Sequence, residues 1–152
     1  MHKKKKILKW AMLIIWASFI FFMSNMPGDV SSEQSDVVVK VIHDLGIDVN
    51  GLFGITITFI IRKIAHFSEY FILYLLTYMV ICLYIKEKKA GVLTILFVFI
   101  YAISDEIHQI FVPGREAAFR DVMIDTSGGF LAFVILSIIC KVRNKRKALR
   151  ND

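Results

Sequence analysis

Long apolar stretches alternate with short charged segments along this chain of 152 residues. Four of the apolar stretches, at about 7–26, 64–85, 91–111 and 121–140, are long enough to form membrane-crossing helices. A bilayer core about 30 Å thick needs roughly 20 mainly apolar residues in one helix. The pattern therefore predicts an all-α integral membrane bundle of four transmembrane helices, with residues 1–152 forming a single domain.

The segment between the first two predicted spans, residues 27–63, has a mixed pattern. Residues 29–50 are mainly polar and acidic, and we expect them to be solvated or to lie on the membrane surface. Residues 52–61 are apolar, but they are too few to cross a bilayer, and two basic residues follow at once. We interpret residues 52–61 as an interfacial or re-entrant segment, with an extra span from 49–61 as the alternative.

Composition and charge place the chain in a membrane and orient it there. Hydrophobic residues make up 57% of the chain, against about 45–50% in an ordinary soluble domain. Of the 19 Lys and Arg residues, 14 lie in the N-terminal run, the loop at 86–89 and the tail at 141–150. Because cytoplasmic segments carry such an excess, we predict a multi-pass protein of the cell membrane with both termini cytoplasmic and residues 27–63 extracytoplasmic. The basic residues flank apolar stretches, so the net charge does not indicate nucleic-acid binding.

Ionisable residues within the predicted spans gather at one end, which is the end predicted to face outward. Charge inside a bilayer costs about 2.5 to 3.5 kcal/mol per group on insertion scales, so such residues usually face the bundle interior and pair. Helical spacing aligns Arg62, His66 and Glu69 on one face of the second span, and Asp121 and Asp125 on one face of the fourth. We therefore predict an outward-facing polar cavity. Its predicted ligand-binding residues are Arg62, His66, Glu69, Tyr70, Asp105, Glu106, His108, Gln109, Arg115, Asp121 and Asp125.

These residue types indicate two kinds of chemistry. Carboxylates beside histidines can bind a divalent metal or act as general acid and base. Arginines at the same place can hold an anion such as a phosphate. The candidate catalytic residues are Glu69, Asp105, His66 and His108. The sequence leaves open whether the protein is an enzyme and whether it uses a metal or another cofactor.

A purely structural interpretation of the same charges is interhelical pairing. Arg62 or Lys63 would then pair with Glu69, and Arg115 with Asp121, to hold the bundle together. Small residues would also help to hold the bundle together. Gly128 and Ala132 lie four residues apart on the last span, and this spacing predicts close packing against a neighbouring helix.

Three short motifs occur in order in the polar segments, accompanied by Asp121 and Gly128. They are Lys63-Ile-Ala-His66-Phe-Ser-Glu69-Tyr70, Asp105-Glu106-Ile-His108-Gln109 and Pro113-Gly114-Arg115. In this order and spacing the motifs resemble those of the VanZ-like proteins. The first span, with Trp16, Ser24 and Pro27, is similar to the start of that family as well. The resemblance implies a small bacterial membrane protein, and the founding relative of the family lowers susceptibility to the glycopeptide teicoplanin.

Three functional hypotheses follow from the polar end and the resemblance together. In the first, the protein binds or protects envelope lipids or cell-wall precursors and so lowers susceptibility to glycopeptides such as teicoplanin. In the second, it is a membrane-embedded enzyme that acts on a lipid-linked, phosphorylated envelope substrate at the outer leaflet. A transporter is less favoured, because the ionisable residues stop near one surface and transport sites usually lie near the midplane. The expected partners are membrane lipids and a lipid-linked cell-wall precursor or lipoglycopeptide, and a homodimer is compatible with the pattern.

Overall fold

The computed structural model describes residues 2–46 and 52–150. Within these ranges the chain forms helices and no strands. The helices are α1 (His2–Ser24), α2 (Gly28–Asp44), α3 (Leu52–Ile81), α4 (Glu87–Gln109) and α5 (Phe119–Ala148). The prediction of an all-α architecture is confirmed.

Four of the helices are long and apolar enough to cross a membrane. The candidate spans are Lys3–Ser24, Thr56–Ile81, Glu87–Gln109 and Phe119–Ala148. The prediction of four membrane-spanning helices is therefore confirmed. The remaining helix, α2, is short and amphipathic, and its valine-rich face is exposed.

The core of the bundle is built around α3, which contacts each of the other four helices. Tyr70, Leu73 and Tyr74 on α3 are completely buried, and Ile20 of α1 and Val98 of α4 pack into the same cluster. Large apolar side chains elsewhere on the four long helices point away from the bundle and are exposed. Such a surface is suited to lipid rather than water, because soluble proteins rarely expose large continuous apolar areas.

The packing of α5 against α3 depends on a small residue at the point of contact. A Cβ atom added at Gly128 would lie 2.1 Å from the carbonyl oxygen of Phe67 on α3. Ala132, one turn further along α5, is completely buried. The predicted packing face at Gly128 and Ala132 is confirmed, and it brings the polar residues near the start of α5 close to those of α3.

Residues 52–61 differ from their prediction, because they continue without a break into the second membrane-crossing helix. α3 is one helix of 30 residues, so the re-entrant segment and the separate span predicted there are both wrong. The physical reason is that no proline interrupts this stretch, so the backbone hydrogen bonds can continue. The position of residues 52–61 at the membrane interface stays a prediction. Residues 49–51 lie outside the described ranges. The side of the membrane on which residues 27–63 lie stays a prediction.

Two tight turns meet at the end of the bundle where α1 and α4 finish. The Gly28 backbone N–H donates a hydrogen bond to the Pro113 carbonyl oxygen at 3.1 Å. A Cβ atom at Gly28 would lie 2.0 Å from the Gly114 carbonyl oxygen, so the two backbones touch. Gly114 itself has a φ of 71°, a conformation that glycine adopts without strain. This contact fixes the α4–α5 loop, residues 110–118, against the start of α2.

Candidate functional site

A polar cavity of about 440 Å³ lies between α3, the end of α4, the α4–α5 loop and the start of α5. Seven of the residues predicted to bind a ligand line it: Arg62, His66, Glu106, Gln109, Arg115, Asp121 and Asp125. Phe59, Lys63, Glu116 and Arg120 line it as well, and they were not in the predicted set. We call this space the main cavity.

A smaller cavity of about 150 Å³ lies between α1, α2 and α3. Its polar lining includes Ser31, Gln34 and Ser35 of α2, whose contribution the sequence pattern did not reveal. Arg62, His66 and Arg115 line both cavities, and Glu69 lines the smaller one. The two arginines and His66 therefore stand at the junction of the two cavities.

Arg115 is placed by the contact between the two turns. Its Nε donates a hydrogen bond to the Met26 carbonyl oxygen at 3.2 Å, and its Nη2 donates one to the Met23 carbonyl oxygen at 3.5 Å. Burial lowers the pKa of the Arg115 guanidinium below its usual range, and the nearby positive charge of Arg62 lowers it further. An arginine in a protein nevertheless keeps its charge. The carbonyl oxygens therefore orient this cation without neutralising it.

Arg62 approaches the same place from α3. Its Nη2 lies 3.5 Å from the Ser32 hydroxyl, and its buried Nε has no hydrogen-bond partner among residues 2–46 and 52–150. Neither Arg62 nor Arg115 forms an ion pair with a carboxylate in the part of the chain that the structure describes. The junction of the cavities therefore holds two guanidinium groups that form no direct ion pair with a carboxylate of the described residues.

Asp105 has a different environment, since it lines neither cavity. The Ser24 hydroxyl donates a hydrogen bond of 2.6 Å to its Oδ2, and Gln109 Nε2 donates to the same oxygen at 3.3 Å and to Ser24 Oγ at 2.9 Å. Asp105 is 4% exposed and Ser24 is completely buried. This network joins α1 to α4. Ser24 was missed as a member of the polar group, although a serine at the end of an otherwise apolar helix was a signal that could have identified it.

Tyr70 and His108 also lie outside both cavities. Tyr70 is completely buried in the core, where its ring packs edge-on against Tyr101. The ring of His108 packs against Phe21 of α1 with the ring centroids 4.6 Å apart. Of the predicted ligand-binding residues, these two are thus in positions that favour packing over contact with a ligand.

Glu69 lies beside His66, with Glu69 Oε2 and His66 Nδ1 3.6 Å apart. The predicted pairing of Glu69 with Arg62 or Lys63 is wrong, because Lys63 Nζ instead contacts Asp121 Oδ2 at 2.6 Å. The predicted pairing of Arg115 with Asp121 is wrong for the same reason. The packing of α5 on α3 brings Asp121 to Lys63, and the contact between the turns holds Arg115 towards α1.

The Lys63–Asp121 pair provides a test of the structural interpretation of the charges. We expect Asp121→Asn to lower stability by about 1.5 to 3 kcal/mol, because a partly buried ammonium loses its charged acceptor. Lys63→Met combined with Asp121→Asn should recover much of that loss. Thermal unfolding in detergent measures both variants. A double variant less stable than Asp121→Asn alone would contradict a pairwise structural role.

The remaining carboxylates of the main cavity differ in their partners. Glu106 Oε1 accepts a hydrogen bond of 2.6 Å from the Ala118 backbone N–H, which fixes the start of α5. Asp125 is only 3% exposed and forms no hydrogen bond or ion pair within the described ranges. No three His, Cys, Asp or Glu side chains among the described residues converge in an arrangement suited to a metal ion. The main cavity therefore combines two arginines, which form no direct ion pair, with a buried carboxyl group that has no partner among the described residues.

A family model matches this chain over most of its length. No curated protein and no solved structure matches the chain. The family model described as VanZ/LLP1 matches residues 9–140, which include all four membrane-spanning helices apart from the first turns of α1 and the last turns of α5. The matched range includes every residue that lines the two cavities. The chain therefore belongs to the VanZ/LLP1 family.

Proposed function

We propose that this protein binds the phosphate-bearing headgroup of an envelope lipid or lipid-linked cell-wall precursor, and that it thereby lowers susceptibility to glycopeptides such as teicoplanin. The supporting observation is the pair of guanidinium groups, Arg62 and Arg115, at the junction of the two cavities. Buried charges in proteins are usually paired. Two guanidinium groups that form no direct ion pair among the described residues are therefore suited to an anion supplied from outside.

The position of the main cavity along the helices agrees with a headgroup as the ligand. The cavity lies beside the end of the third candidate span at Gln109 and the start of the fourth at Phe119. Span ends lie where hydrocarbon gives way to headgroups. The distribution of basic residues at the other end of the spans supports placing this end at the outer leaflet, which glycopeptides reach first.

Arginine also suits phosphate better than lysine does in such a site. Its planar group presents several N–H donors that match two phosphate oxygens at once. Arg115 is already oriented by the carbonyl oxygens of Met23 and Met26, so little freedom is lost when a ligand binds. The Arg62 side chain lines both cavities, so its guanidinium group can provide further N–H donors to a phosphate.

Replacing both arginines tests this proposal. We expect Arg62→Gln with Arg115→Gln to weaken binding of dihexanoyl phosphatidylglycerol by tenfold or more, since hydrogen bonds to charged groups contribute about 1.5 to 3 kcal/mol each. Isothermal titration calorimetry of the purified protein in detergent measures the affinity. Cells that express the double variant should also lose any protection from teicoplanin.

The matched control removes the same number of positive charges elsewhere. Arg146→Gln with Arg150→Gln changes exposed residues of the basic tail and leaves both cavities intact. This control should bind the lipid as the unchanged protein does. Equal lipid affinity of the cavity variant and the unchanged protein would refute the proposal. Equal loss of affinity in both double variants would also refute it, because the loss would then be a general effect of net charge.

A second candidate function, an enzyme acting on the same class of lipid, is favoured by the contact between His66 and Glu69. His66 lines the cavities beside the guanidinium groups, and the nearby carboxyl group could accept or return a proton through the imidazole. Incubation of the protein with phosphatidylglycerol or a lipid-linked precursor, followed by mass spectrometry, separates the two candidates. New products that disappear in His66→Gln would establish the enzyme, whereas saturable binding without products supports the binding protein.

A further inference from the structure

Asp125 is the group in the main cavity that the binding of a simple phosphate does not explain. It lies on α5, one turn beyond Asp121. Its side chain lines the cavity, although only 3% of the residue's surface is exposed. The other buried or partly buried carboxyl groups there have partners, Lys63 for Asp121 and the Ala118 N–H for Glu106. Asp125 has no such partner in the described part of the chain.

The charges around Asp125 make this lack of a partner more costly. Two other carboxyl groups line the same cavity near it: Glu106 at the end of α4, and Asp121, which lies one turn before Asp125 on α5. A carboxylate surrounded by others is stable only if a positive charge approaches it or if it takes up a proton. The main cavity therefore contains both the two guanidinium groups and a buried carboxyl group that has no partner among the described residues.

From this arrangement we infer that the ligand of the main cavity is zwitterionic: a phosphate ester that also carries a primary ammonium group, as in the headgroup of an aminophospholipid. The inference rests on the proposed function, because it uses Arg62 and Arg115 for the phosphate. The ammonium group supplies the positive charge and the hydrogen-bond donors that Asp125 lacks.

Two observations favour an ammonium group over a metal ion as the partner of Asp125. The His, Cys, Asp and Glu side chains in residues 2–46 and 52–150 include no group of three that could surround a metal ion. An ammonium group needs fewer acceptors, because it has three donors and can share them with water. The volume of about 440 Å³ is within the usual range for small-ligand sites, about 300 to 1,000 Å³, so a phosphoethanolamine group has room.

The test compares lipids that differ only at the end of the headgroup. Dihexanoyl phosphatidylethanolamine carries the ammonium group, and dihexanoyl phosphatidylglycerol carries a hydroxyl group in its place. We expect the unchanged protein to bind the ethanolamine lipid about tenfold more tightly in calorimetric titrations, in line with one charge-assisted hydrogen bond. Asp125→Asn should abolish this preference and leave the affinity for phosphatidylglycerol unchanged or higher. Free phosphoethanolamine, titrated separately, shows whether the headgroup alone is sufficient or whether the acyl chains are needed for the preference.

The matched control is Glu33→Gln, which removes one negative charge from an exposed residue of α2 that lines neither cavity. It should keep the preference for the ethanolamine lipid. Thermal unfolding of both variants shows whether they remain folded, and we expect Asp125→Asn to be at least as stable as the unchanged protein because it relieves repulsion.

The outcomes separate this inference from the proposed function. Equal binding of the two lipids by the unchanged protein, with the arginine double variant still weakened, would overturn the inference and keep the proposed function. A preference that survives in Asp125→Asn would likewise overturn it. Binding of neither lipid would refute both. A phosphatidylethanolamine preference that is lost in Asp125→Asn and kept in Glu33→Gln would establish the ammonium site.

Discussion

Gly128→Ala is expected to destabilise the bundle strongly, by about 3 kcal/mol or more, even though it adds only one methyl group. The new Cβ atom would lie 2.1 Å from the Phe67 carbonyl oxygen and 3.0 Å from its carbonyl carbon. Both atoms belong to the backbone of α3 and cannot rotate away, so the two helices must separate. Overpacking usually costs about 1 to 3 kcal/mol, and a clash with a rigid backbone lies at the upper end of that range or beyond it.

A matched glycine on α4 provides the control for this prediction. At Gly91 an added Cβ atom would lie 3.0 Å from an edge atom of the Phe133 ring, which is a side chain that can move. Gly91→Ala should therefore change stability little, and the better helix propensity of alanine offsets part of the contact. Thermal unfolding in detergent compares the two variants. Similar melting temperatures for both would mean that α3 and α5 do not approach each other at Gly128 as closely as described.

Asp105→Ala is expected to cause the second large loss of stability. The change removes the acceptor of two hydrogen bonds in a buried position, and each buried donor left without an acceptor costs about 1 to 3 kcal/mol. Both donors, on Ser24 and Gln109, belong to the network that joins α1 to α4. We therefore expect a loss of about 2 to 5 kcal/mol, measured as reduced thermal stability and reduced yield of folded protein.

A triple variant separates structural from functional importance at this position. Replacing a whole polar network with apolar groups of similar shape can be nearly neutral for stability. Ser24→Ala, Asp105→Leu and Gln109→Met together should thus be more stable than Asp105→Ala alone. If Asp105 only joins the helices, the triple variant keeps its lipid binding. A stable triple variant that no longer binds phosphatidylglycerol would show that Asp105 or Gln109 contacts the ligand.

The sequence alone was sufficient to predict the number of spans, the all-α class and the end of the bundle that carries the polar residues. These features depend on local quantities: the length of each apolar stretch relative to the bilayer, and the helical spacing that puts Arg62, His66 and Glu69 on one face. The small face at Gly128 was also predictable, because close helix packing requires small side chains. Hydropathy did not predict that residues 52–61 belong to the same helix as the second span, because the charged residues Arg62 and Lys63 were taken as the end of the apolar segment.

Only the tertiary structure decided what each polar residue does. Asp105 and Asp125 look alike in the sequence, as acids near the ends of apolar helices. In the structure, Asp105 accepts hydrogen bonds from Ser24 and Gln109, and Asp125 lines the main cavity without a partner. In the same way, the pairing of Asp121 with Lys63 leaves Arg115 without a carboxylate partner among the described residues. The physical reason is that the partner of each charged group lies on another helix or loop. How closely these elements approach depends on contacts such as Gly28 with Gly114 and Gly128 with Phe67. The helical periodicity of one segment carries no information about such contacts.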